Sequence, residues 1–246
     1  MTAAKDGAAV HDAALVVDGL TTGYLKAPVL RNVSLLVDGE IVAVLGANGA
    51  GKTTLLRAIS GALRAWSGAI AVSGRDLGKS SPWDRVKRGV AHVPEGRHVF
   101  TAMSVRDNLE VAGLAAGKGA GYTTDDIYEL FPRLGERRDQ LAGSMSGGEQ
   151  QMLAIGRALM TDPKILLVDE MSAGLAPVTA QLLVESLRTI HRGLGVSMLL
   201  VEQSPHLIED LVDRVYVLDR GEITAGGTVE DIGGSEGLAA VYLSAH

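Results

Sequence analysis

Apolar residues along the chain fall in short runs separated by glycine-rich or charged breaks. Glu40 to Leu45, E-I-V-A-V-L, is rich in β-branched residues and follows the turn dipeptide Asp38-Gly39, which closes a strand over Val33 to Val37. A glycine-rich loop comes next, and Thr54 to Leu63 then carries apolar residues at helical spacing. Ile165 to Val168 predicts a second apolar strand ending in Asp169-Glu170, and Ser197 to Val201 a third ending in Glu202-Gln203. Arg214 to Leu218 predicts a fourth, leading into a hairpin at Arg220-Gly221. Helical patterns over Val178 to Ile190 and His206 to Leu211 separate these strands, which predicts a doubly wound α/β sheet. Between about Val105 and Met160 the pattern is helical, with glycine-rich connections such as Gly113 to Gly121 and no convincing strand. A helical insert in an α/β core is the expectation.

Composition narrows the class. The chain has 246 residues, enough for one large α/β domain or a core with a smaller lobe. At 46% hydrophobic it is too apolar for disorder, and the absence of cysteine removes disulfides, Cys-ligated zinc and thiol chemistry. The longest stretch free of charge, Met171 to Val184, is broken by Ser, Thr, Gln and Pro, whereas a spanning helix needs roughly 20 mostly apolar residues. Asp6 and Asp12 stand where a signal peptide would have its apolar stretch. A soluble, cytosolic chain is therefore expected. With 23 basic against 29 acidic residues, a net charge of −6 and no basic run, a nucleic-acid-binding surface is not expected.

Three motifs carry chemistry. Gly46, Ala47, Asn48, Gly49, Ala50, Gly51, Lys52 and Thr53 fit G-x-x-x-x-G-K-[ST] between a strand and a helix, and Thr54 follows in the same turn. The glycines let the backbone wrap closely, so that successive N–H groups and a helix N-terminus point at phosphate oxygens. Lys52 would reach the β- and γ-phosphates, and the Thr53 hydroxyl would ligate Mg²⁺. The strand I-L-L-V-D-E delivers Asp169 and Glu170 at its C-terminal end, where ligands of open α/β sheets bind. Asp169 would support the Mg²⁺ and Glu170 would act as general base on water. An apolar strand ending in two acids is common by itself; the phosphate loop upstream gives it meaning. Finally, M-S-G-G-E-Q-Q precedes a helix expected over Met152 to Leu159. The Ser146 hydroxyl and the amides of Gly147 and Gly148 would form a second phosphate-binding surface, while Ser146 with Glu149 also reads as a capping box. Both readings can hold together.

The combination resembles the ATP-binding-cassette (ABC) ATPases, from about Leu15 to Gly227. The resemblance implies a P-loop (RecA-like) α/β core with an N-terminal antiparallel β part, and a helical lobe inserted between phosphate loop and Walker B strand. It implies one nucleotide-binding domain over residues 1–246, with the core at about 13–98 and 160–230 and the lobe at about 99–160. ATP and Mg²⁺ are the implied ligands. Tyr24 matches the aromatic that stacks on adenine, a contact worth about 1–3 kcal/mol on physical grounds. The signature of one subunit, Ser146 to Glu149 here, caps the ATP held by the phosphate loop of another. That implies a head-to-tail dimer with a second ABC ATPase subunit, identical or different. Membrane permease subunits, and indirectly a periplasmic or surface solute-binding protein, are the other implied partners. The implied location is cytoplasmic, peripheral on the inner face of the cell membrane.

Some positions depart from the usual cassette. V-P-E-G-R puts Glu95 where a Gln normally touches Mg²⁺ and the water, so Glu95 becomes a candidate metal ligand. L-V-E-Q puts Gln203 where a switch His normally faces the γ-phosphate, with His206 read as a first-turn helix residue. Ala176 stands where many cassettes have Asp. V-P-E-G-R-x-V-F, L-V-E-Q-[SN] and G-L-A-P together resemble the LivF-like ATPase subunits of branched-chain amino acid importers, and urea and short-amide importers have closely similar subunits. Three rivals remain. A DNA- or ribosome-acting cassette would need a long coiled coil or a second cassette; a P-loop kinase would have no use for S-G-G-E-Q-Q. A subunit that binds ATP without hydrolysing it is opposed by Glu170 and favoured by Glu95 and Gln203.

Overall fold

Two sheets pack on either side of the helix that follows the phosphate loop. The computed structural model describes residues 13–115, 121–203, 205–234 and 237. The first sheet is antiparallel, with the order β2-β1-β4-β5, formed by β1 (Leu15–Tyr24), β2 (Ala27–Val37), β4 (Ser67–Val72) and β5 (Arg75–Asp76). The second contains β3 (Ile41–Leu45), β6 (Val90–Val93), β7 (Ile165–Asp169), β8 (Ser197–Glu202), β9 (Arg214–Asp219) and β10 (Glu222–Thr228). Its order is β10-β9-β3-β8-β7-β6; all neighbours are parallel except the antiparallel edge strand β10.

Every residue of β3, β7 and β8 is buried, as expected of parallel strands covered on both faces. Alternate side chains go to opposite cores. Val42, Val44, Leu167 and Leu199 join Leu55, Leu56 and Ile59 of α1 (Lys52–Ser60) and the inward face of the antiparallel sheet. Ala43, Leu45, Leu166, Val168 and Leu200 join the apolar faces of the helices on the other side. Between β6 and β7 these are α3 (Val105–Gly113), α4 (Thr124–Leu130), α5 (Pro132–Glu136) and α6 (Gly147–Leu159). A short α2 (Pro82–Val86) precedes β6, while α7 (Pro177–Leu194) and α8 (Pro205–Ile208) flank β8. Ser104, Thr123 and Ser146 start α3, α4 and α6 with capping boxes, each closing two otherwise free backbone donors.

Several boundaries differ from the sequence expectation. The helix expected from Met152 begins at Gly147, because the Ser146–Glu149 box outweighs the low helix propensity of two glycines. α1 starts at Lys52 rather than Thr54 and stops at Gly61, whose left-handed conformation ends it before Leu63. The strand expected from Val33 begins at Ala27, and the helix expected over His206 to Leu211 spans only Pro205–Ile208. Among the described residues no named strand lies between Val105 and Met160. Most of the Gly113–Gly121 connection, residues 116–120, and the N-terminal Asp6 and Asp12 lie outside the described residues. Among those described, no helix is long and apolar enough to cross a membrane.

Candidate functional site

Parallel strands bring their C-terminal ends to one edge of the sheet, and three of them end in the predicted chemistry. β3 runs into the phosphate loop, β7 ends at Asp169, and β8, between them, ends at Glu202. The register pairs Leu45 with Glu202 and Asp169 with Val201, which sets the three ends level.

Gly51 enters α1 at φ 113°, a conformation open to glycine, and a Cβ on Gly46 would lie 2.3 Å from the Leu218 carbonyl oxygen. The loop thus closes tightly over its own lysine. Lys52 is 4% exposed; its Nζ donates to the Gly46 carbonyl at 2.6 Å and the Ala47 carbonyl at 3.2 Å, and lies 3.8 Å from Glu170 Oε1. Burial pulls its pKa down, opposed by the charges of Glu170, Asp169 and Glu202. Thr54 is buried in α1, and Asn48 and Gly49 are exposed at the loop's tip.

Thr53 Oγ1 donates to Asp169 Oδ1 at 3.3 Å. Asp169 is 1% exposed, and its Oδ2 is buried with no partner. Burial pushes its carboxyl up to about 6, with Glu170 and Glu95 adding to the rise and Thr53 and Lys52 opposing it. An orphaned carboxylate oxygen beside a hydroxyl is a set of hard oxygen donors, and it fits Mg²⁺. Among the described residues no three His, Asp or Glu side chains gather as a metal-holding group. Glu95 is exposed in the loop after β6, and its charge is one of those that raise the Asp169 carboxyl.

Glu170 sits at φ 46°, strained for a residue with a Cβ, and its Oε1 accepts a hydrogen bond of 2.6 Å from Gln203 Nε2. Tyr24, at the end of β1, is 42% exposed, and its hydroxyl accepts from Arg57 of α1 at 3.1 Å. His206 is exposed beside Glu209 at 3.7 Å. Ala176 is the N-cap of α7 and makes no side-chain cap, a bond that Asp would offer there.

The signature is held differently. Ser146 is exposed at the N-cap of α6, donating its N–H to Glu149 Oε2 at 2.9 Å, while Glu149 Oε1 pairs with Arg137 Nε at 3.1 Å. The Arg97 guanidinium lies over Gly147, and a Cβ on Gly148 would come within 2.2 Å of Thr179 Cγ2. Among the described residues no hydrogen bond or ion pair joins Ser146–Gly148 to the phosphate loop of the same chain.

Sequence reasoning missed two features. Glu202, 2% exposed, bonds Ser172 rather than simply ending its strand. A groove of about 390 Å³ runs between α2, β6, α3 and α6, lined among others by Trp83, His92, Arg97, Phe100 and Arg157. Arg157 stacks on Phe100 at 4.3 Å, and burial lowers the pKa of His92 to about 4. A charged residue at the end of an otherwise apolar strand was the available signal for Glu202; the groove had none.

A buried lysine in a tightly closed glycine-rich loop after β3, beside an acid pair that ends β7 two strands away, defines a P-loop nucleoside triphosphatase. The family profile described as ABC transporter matches residues 30–173. The high-affinity branched-chain amino acid transport ATP-binding protein BraG of Pseudomonas aeruginosa is 46% identical over 213 residues, covering 86% of this chain and 91% of BraG. A probable branched-chain amino acid transport ATP-binding protein, LivF of Archaeoglobus fulgidus, is 32% identical, covering 87% and 91% respectively. A solved ATP-binding subunit of an ABC transporter matches with a TM-score of 0.80 at 30% identity, over 94% of this chain and 98% of that one. The chain belongs to the ABC transporter family and is one of its ATPases.

Proposed function

We propose that this chain is the ATP-hydrolysing motor of an importer for branched-chain amino acids, acting on a separate membrane permease from the cytoplasmic face. The similarity to BraG supports the solute class. The observation that carries the motor is the convergence of Lys52, Asp169, Glu170 and Gln203 at adjoining strand ends.

Backbone amides of Gly46–Thr53 and the Lys52 ammonium bind the β- and γ-phosphates of ATP, the phosphate oxygens competing with the Gly46 and Ala47 carbonyls for the lysine's protons. Thr53 and Asp169 hold Mg²⁺, which when bound neutralises phosphate charge, and Glu95 is a further oxygen donor on a neighbouring loop. Tyr24 stacks on the adenine. Glu170 takes the proton of the attacking water. The exposed Ser146 with Gly147 and Gly148 serves the nucleotide of a second cassette, head to tail. A permease segment with an apolar face docks in the groove between α2, β6, α3 and α6, where Trp83 and Phe100 expose ring surface. The solute-binding protein is reached only through that permease.

The test is a tagged chain purified from membranes with its copurifying permease, reconstituted with ATP and the cognate solute-binding protein. Uptake of labelled leucine, isoleucine or valine is expected. Uptake of urea or a short amide instead overturns the solute class, and absence of any copurifying membrane protein overturns the motor assignment.

A further inference from the structure

Three consecutive residues at the end of β8 grip the turn that carries Glu170. The Val201 carbonyl accepts the Glu170 N–H at 2.9 Å. The Glu202 carboxylate accepts from Ser172 twice, its backbone N–H to Oε1 at 3.2 Å and its hydroxyl to Oε2 at 3.0 Å, and Oε2 also faces the Gln203 N–H at 3.4 Å. The Gln203 amide donates to the Glu170 carboxylate itself. The gripped turn closes on itself through Ala173 N–H to the Glu170 carbonyl at 3.2 Å, and Glu170 within it holds φ 46°. Such a conformation persists only where surrounding contacts over-determine it. Glu202 is 2% exposed, and a carboxylate so buried is tolerated because its oxygens are hydrogen-bonded.

We propose that Glu202 is a positioning residue for hydrolysis: its carboxylate holds Ser172 and thereby keeps the strained turn that aims Glu170. The proposal rests on the reading of Glu170 as general base. Without the Ser172 bonds the turn relaxes toward ordinary φ, and the Glu170 carboxylate leaves the place where Gln203 holds it. The Glu202 carboxylate makes its hydrogen bonds to Ser172 and Gln203 and none to the phosphate loop, so the loss is expected on the chemical step rather than on nucleotide binding. Glu202 is also one of three acids whose charge supports Lys52, and the test must separate that effect from positioning.

Turnover is measured in the copurified complex, taking the part that Glu170→Gln abolishes, alongside Mg·ATP affinity of the purified chain. Glu202→Ala is expected to lower that part of kcat by about tenfold or more, as small misplacements of a catalytic group do, with affinity within about threefold of wild type. Glu202→Gln keeps an oxygen for the Ser172 N–H and an amide for its hydroxyl, and is expected to restore turnover to within about threefold. Ser172→Ala is expected to lose turnover several-fold, and less again when combined with Glu202→Ala than the two losses multiplied. Wild-type kcat in Glu202→Ala or Ser172→Ala overturns the proposal. So does a Glu202→Gln as damaged as Glu202→Ala, which assigns the role to charge beside Lys52. If Glu202→Ala does not fold, Ser172→Ala and Glu202→Gln decide by the same criteria. A wild-type complex without ATP hydrolysis refutes the motor assignment instead.

Discussion

Gln203 Nε2 donates to Glu170 Oε1 at 2.6 Å, and Lys52 Nζ stands 3.8 Å from the same oxygen. The side chain expected to face a γ-phosphate is therefore bonded to the carboxylate expected to activate water. The Gln203 amide carries two N–H donors: one is given to Glu170, and the second is left for another acceptor. With that second N–H given to a γ-phosphate, Gln203 would bridge the nucleotide and the proposed base. A histidine in this position could carry a full positive charge between the two groups; the amide offers only a neutral donor.

Glu170→Gln is expected to bind ATP and leave it unhydrolysed. The substitution keeps the side chain's shape and a carbonyl oxygen for Gln203, but it cannot take a proton from water. The signature of one subunit then stays clamped on the ATP of the other, giving an ATP-dependent dimer by size-exclusion chromatography. Full steady-state turnover in this variant would remove Glu170 from the role of base.

Lys52→Ala is expected to lose nucleotide affinity by at least about tenfold, since a charge-assisted hydrogen bond is worth roughly 1.5–3 kcal/mol. The lysine is buried among loop carbonyls, so no neighbouring cation can take its place without rebuilding the cradle. Calorimetry with Mg·ATP is the measurement. Wild-type affinity would mean that the loop does not hold the phosphates.

Asp169 gives a pH dependence with two opposite signs. Its carboxyl is raised to about 6 from an ordinary 3.8, chiefly by burial, so the folded chain takes up this proton before the unfolded chain does. The stability it contributes is fully present below the unfolded value and is lost as pH rises through about 6. Compared with Asp169→Asn, wild type should gain on the order of 1–2 kcal/mol between about pH 7.5 and 5 in denaturant titrations without nucleotide. Mg²⁺-dependent ATP affinity should move the other way, weakening below pH 6 as the oxygen donor is protonated. Parallel pH curves for the two proteins would show that Asp169 carries no such shift.

The parts of the site readable in the sequence are those where one chemistry permits few residue types. A loop that wraps a phosphate needs glycines and a lysine at fixed spacing, and Gly46–Thr53 announces itself for that reason. β3, β7 and β8 were equally plain, because strands covered on both faces read as unbroken apolar runs. β6 was not, since V-A-H-V is short and His92 interrupts it. The first turn of α6 was hidden by two glycines that read as loop, although the Ser146–Glu149 box starting it was visible. The contacts that hold the site are tertiary: Glu202 to Ser172, Gln203 to Glu170, Arg97 over Gly147, Thr179 against Gly148. No local pattern encodes them.

The two halves of this chain's machinery are unequally equipped, and that predicts unequal sites. Its signature has Ser146 exposed at a helix N-terminus, available to a partner's nucleotide. Its own site has a carboxylate, Glu95, near Asp169 and an uncharged Gln203 that donates to Glu170. Charge-assisted hydrogen bonds are roughly twice as strong as neutral ones, so Gln203 stabilises developing phosphate charge less than a protonated imidazole would. In a pair with a different, fully equipped cassette, this chain would lend a good signature to the faster site and hold the slower one in its own phosphate loop. ATPase rates of the reconstituted complex with two variants of this chain test it. Ser146→Arg should abolish most turnover by filling the partner's site with a bulky cation, whereas Glu170→Gln should leave a measurable fraction. Equal damage from both would mean that Gln203 substitutes adequately and that the two sites turn over alike.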